Sequence, residues 1–60
     1  MQIQTDRGLI SIDAEYQSAE RCVMDGYSYH FHDSRYGDIY SKCLDTAGLY
    51  HSFALIVGYK

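Results

Sequence analysis

The run Phe53-Ala54-Leu55-Ile56-Val57 constrains this chain more than any other feature. Side chains alternate sides along an extended strand, so Leu49, Phe53, Leu55 and Val57 share one face and Tyr50, Ala54 and Ile56 the other. Both faces are apolar. A strand of that kind is central in a sheet, or is covered on both sides. Any fold open to this sequence must therefore find two covers for one strand, and 60 residues leave few elements from which to make them.

The rest of the chain supplies those elements in order. Met1 to Thr5 alternates apolar and polar, Thr5-Asp6-Arg7-Gly8 is a turn signal, and Leu9 to Ile12 resumes the alternation, which predicts an N-terminal hairpin. Asp13 suits a helix N-cap. Ala14 to Asp25 is rich in helix formers, with Tyr16, Ala19, Cys22 and Val23 at helical spacing, and Gly26 sits where a left-handed residue ends a helix. From Tyr27 the period changes to two. Tyr27, Tyr29 and Phe31 are expected on one strand face, and Ser28, His30 and His32 on the other. Asp33 to Asp38 reads as a loop, Ile39 to Leu44 as a strand, Asp45-Thr46-Ala47-Gly48 as a tight turn and Leu49 to Tyr59 as a long last strand, with Gly58 inside it marking a bulge or a close backbone approach.

The expected fold class is α+β, a small antiparallel sheet in the order β-β-α-β-β-β with one helix packed on one face. It forms a single domain over residues 1–60. Hairpin-length loops make the last three strands an antiparallel meander. One helix covers one face, so the second cover is expected from another subunit. A chain this short buries only about 60% of the surface its unfolded form exposes, which also favours a homodimer.

Charge and motifs exclude several function classes. The net charge is -3, and the five basic residues, Arg7, Arg21, Arg35, Lys42 and Lys60, are scattered, which argues against nucleic acid as a partner. No apolar stretch reaches 18 residues, so no membrane span is expected. Met1-Gln2-Ile3-Gln4 lacks the basic and apolar regions of a signal peptide, and the expected compartment is the cytoplasm. Cys22 and Cys43 are then reduced thiols. No Ser-His-Asp set, H-E-x-x-H or glycine-rich phosphate loop occurs, so the expectation is no enzyme and no cofactor.

Two side-chain sets remain. Tyrosine fills seven of the 60 positions, too many for so small a core to bury with every hydroxyl satisfied. Tyrosine joins a large apolar area to a polar tip and is enriched at protein interfaces. The expected interface comprises Tyr27, Tyr29, Phe31, Tyr36, Tyr40, Tyr50, Phe53 and Leu55, and the expected function is a non-enzymatic protein-binding module. The second set is His30-Phe31-His32 with His51 on a neighbouring strand. Placed together, those imidazoles offer the alternative of a small metal- or ligand-binding protein.

Asp25-Gly26-Tyr27-Ser28-Tyr29-His30-Phe31-His32, continued by Ile39-Tyr40-Ser41-Lys42-Cys43 and His51-Ser52-Phe53-Ala54, resembles the small accessory proteins of phages and prophages, of the anti-defence type. Those are short, acidic, proline-poor chains. The resemblance implies a homodimer in the host cytoplasm that binds and inhibits a host defence protein. It carries over no site residues.

Overall fold

The structure, a computed structural model, describes residues 1–57. The expected extension of the last strand to Tyr59 and the expected bulge or close approach at Gly58 lie outside the described residues. Five strands and one helix follow in the order β1 (Gln2–Thr5), β2 (Gly8–Tyr16), α1 (Ala19–Met24), β3 (Ser28–Asp33), β4 (Gly37–Cys43) and β5 (His51–Ile56). The strands pair as β1-β2-β5-β4-β3. β5 is thus central, as its two apolar faces require.

The fold class differs from expectation. Strands make up 56% of the described residues and helix 11%, and the sheet is mixed and curled into a half-barrel rather than antiparallel under a substantial helix. The difference arises at Asp13 to Tyr16. Those residues extend β2, and all but Asp13 pair parallel to β5, with Ala14 opposite Ala54, Glu15 opposite Leu55 and Tyr16 opposite Ile56. Local helix propensity is worth tenths of a kcal/mol per residue, and a long-range ladder with its burial outweighs it. Asp13 is no N-cap. It is the extra residue of a bulge between Ile12 and Ala14.

The helix is capped instead by Ser18, whose side chain accepts a hydrogen bond from the Arg21 N–H at 3.3 Å. At its other end Gly26 takes φ +99°, as a C′ residue does. Gly26 N–H donates to the Val23 carbonyl at 2.9 Å and Tyr27 N–H to the Cys22 carbonyl at 3.3 Å, which is the Schellman pattern.

The bulge at Asp13 decides how the two faces are covered. Before it, Ile10 and Ile12 join Ile3, Phe31, Ile39, Phe53 and Leu55 in one apolar cluster. After it, Ala14 and Tyr16 join Cys22, Tyr27, Tyr40, Ala54 and Ile56 in the other. A one-residue insertion flips the alternation, so a single strand serves both layers. The β1–β2 hairpin covers one side of β5 and α1 the other. The cover that the sequence assigns to a second subunit comes from the chain's own N-terminus.

Two carboxylates fasten that hairpin. Asp33, only 1% exposed, accepts from the Asp6 N–H at 2.7 Å and from the Arg35 and Tyr36 N–H groups at 2.9 Å each. Asp6 in turn accepts from the Ser34 N–H at 3.0 Å and from Ser34 Oγ at 3.1 Å. The turns that end the two edge strands, β1 and β3, are thereby clasped together. Arg7 lies over the Phe31 ring, 4.8 Å from its centroid. Among the described residues no helix is long and apolar enough to cross a membrane.

Candidate interaction surface

The expected interface residues separate into two groups. Tyr27, Phe31, Tyr40 and Leu55 are buried within the protomer. Tyr27 has a buried partner for its hydroxyl, Ser52 Oγ at 2.7 Å, and Lys42 Nζ sits 4.6 Å from its ring centroid. Its aromatic area therefore serves the core. Phe53 is half-buried, while Tyr29, Tyr36 and Tyr50 face solvent. Tyr29 meets Tyr40 edge to face at 5.9 Å. Tyr16 is also committed: its hydroxyl donates to Asp25 Oδ2 at 2.6 Å. That bond to a carboxylate, then burial and the Asp25 charge, push the phenol up to about 12.

The three histidines do not converge. A second bulge, between Tyr29 and Phe31, sends Tyr29 to the Tyr40 side of the sheet and Phe31 to the Ile39 side. Tyr29 and Phe31 therefore do not share the face that strict alternation assigns them. His30 stays with Phe31, 5.4 Å between ring centroids, and with Phe53 at 5.7 Å. His51 flanks the same Phe53 ring at 6.4 Å. His32 lies on the opposite face, its Nδ1 2.9 Å from Asp38 Oδ1, beside a shallow cleft of about 300 Å³ that Ala19, Tyr36, Tyr40 and Ile56 also line. Among the described residues, no three His, Cys, Asp or Glu side chains are placed to hold a metal ion. Cys22 is buried, and burial followed by the Asp25 charge pushes its thiol up, away from the reactive thiolate.

On the connection between β4 and β5, sequence reasoning names Tyr50 but misses Leu44 and Leu49. Leu44, Leu49 and Tyr50, read there as strand positions, are 60%, 75% and 67% exposed. The loop that carries them is braced. Asp45 Oδ1 accepts from the Leu49 N–H at 3.0 Å and the Tyr50 N–H at 3.2 Å, Gly48 N–H donates to the Asp45 carbonyl at 3.3 Å, and Leu44 N–H donates to the Tyr50 carbonyl at 2.9 Å. Two leucines flanking the turn signal Asp45-Thr46-Ala47-Gly48 are the trace in the sequence, because turn flanks leave a strand's covered zone. Neither protein-family models, nor curated proteins, nor solved structures gave a match to this chain.

Proposed function

We propose that the protein is a non-enzymatic protein-binding module that acts as a homodimer and engages its target through the β4–β5 connection. The Asp45-braced loop carries this reading. It holds two leucines and a tyrosine in water on a turn whose backbone is already fixed. Exposed apolar area costs solubility, and a preformed loop loses little entropy on binding. Following the resemblance to phage accessory proteins, the target is a host defence protein, inhibited by occlusion in the host cytoplasm.

The test is comparative capture. Full-length protein is immobilised beside a Leu44→Ser, Leu49→Ser, Tyr50→Ser variant, and both are exposed to bacterial lysate with quantitative mass spectrometry. The expected result is a bacterial protein retained by the native chain and reduced at least tenfold on the variant, while the two melt alike. Equal retention of every captured protein would end the case for the loop.

A further inference from the structure

β3 is an edge strand, paired to β4 on one side only among the described residues. An open edge is a template for another strand, and proteins commonly blunt it with a bulge. β3 has such a bulge at His30. The faces it produces follow from the cross-strand partners. Phe31 packs in the cluster under the β1–β2 hairpin, and His30 lies against it. Ser28 pairs with Ser41, which pairs with Phe53 of the same cluster side, and the carboxylate of Asp33 reaches the hairpin turn. Tyr29 meets Tyr40 and His32 pairs with Asp38, both on the helix side.

Along β3 the sides therefore run hairpin, helix, hairpin, hairpin, helix, hairpin. The order is the same in both directions. An antiparallel two-fold pair sets Ser28 against Asp33, Tyr29 against His32 and His30 against Phe31, and each of these pairs shares a side. Slipping the register by one residue sets Tyr29 against Phe31, which lie on opposite sides, and the match is lost. A strictly alternating strand from another protein fails at His30-Phe31 for the same reason. The bulge that refuses ordinary strands fits its own copy.

We propose that β3 pairs with β3 of a second copy about a two-fold axis between His30 and Phe31, joining two five-stranded sheets into one. Each Tyr29, 57% exposed in the protomer, then lies across from the partner's His32. No acid meets an acid at the seam, because Asp33 stands opposite Ser28 and its carboxylate is already held by three N–H groups. The proposal rests on the homodimeric part of the reading above and is independent of the β4–β5 loop.

Sedimentation equilibrium of the full chain gives the first arm, with a species of twice 6.9 kDa expected. The second arm uses a Cys43→Ser background, which removes the exposed native thiol. There Tyr29→Cys with His32→Cys is expected to oxidise to a covalent dimer. Neither single variant does so, because each cysteine is then about 10 Å from its own symmetry mate, beyond disulfide reach. Tyr29→Lys, at an exposed position, raises the dimer dissociation constant at least tenfold and leaves the strand circular dichroism unchanged. A 6.9 kDa species at every concentration overturns both the seam and the homodimer. A dimer that does not cross-link through positions 29 and 32 overturns the seam alone.

Discussion

Asp33 places a carboxylate where solvent hardly reaches. Burial raises its pKa, but the N–H groups of Asp6, Tyr36 and Arg35 and then the Arg35 charge outweigh that and hold it below the ordinary 3.8. A group whose pKa is depressed on folding stabilises the protein fully above its unfolded value and stops doing so as pH falls through the folded one. The urea midpoint of the native chain is thus expected to drop as pH falls through and below the ordinary carboxylate range. Asp33→Asn should lower the midpoint at neutral pH and flatten that acid limb. An unchanged neutral midpoint would deny the clasp its part in closing the half-barrel. Tyr16 gives the opposite sign. Its raised phenol favours the folded state below the ordinary value of 10.0 and ceases to do so as pH rises through about 12. Ultraviolet titration should find one tyrosine ionising near 12, which Asp25→Ala returns toward 10.0.

At the scale of elements, Gly26 joins α1 to β3 at φ +99°, and a Cβ placed there would come within 3.2 Å of Lys42 Cδ. Gly26→Ala should destabilise by about 1–2 kcal/mol from the backbone alone, measured by chemical denaturation; a neutral substitution would mean that α1 ends differently. This helix stop was legible in the sequence, as were the turn at Thr5 to Gly8 and the change to strand at Tyr27, one residue ahead of the observed start of β3. Each is written locally, in glycine conformation and period. The helix start was not legible, because Ala14 and Glu15 are helix formers drawn into a strand by β5, some 40 residues away. The two bulges were equally hidden. Nothing in Asp13 or His30 announces an inserted residue, yet one lets β2 serve both layers and the other separates His30 from His32. The expected metal set and the expected tyrosine face both assumed unbroken alternation. Tyr50 is legible from its side-chain chemistry, whereas Leu44 and Leu49 beside it read as strand positions because the Asp45 bonds that hold the connection as a turn are not written in the local pattern.

For the whole molecule, the sheet divides a small interior into two apolar clusters, each with few members. Ile39 is fully buried in the cluster under the hairpin, opposite Leu55 and Phe31. Removing most of such a side chain costs about 2–5 kcal/mol, against a stability of about 5 kcal/mol or less for a chain of this size acting alone. Ile39→Ala should therefore leave an isolated protomer with marginal stability at best. Association changes that outcome by mass action, since a second copy that binds only the folded chain adds stability with concentration. The circular-dichroism melt of Ile39→Ala should shift upward across a roughly hundredfold rise in protein concentration. Adding Tyr29→Lys should abolish the shift, because position 29 lies at the proposed seam and outside the core. If the melt moves with concentration and position 29 has no effect on it, the stabilising contact lies elsewhere on the surface. If Ile39→Ala melts cooperatively at a temperature independent of concentration, the two clusters suffice for one chain, and association is not what keeps this half-barrel folded.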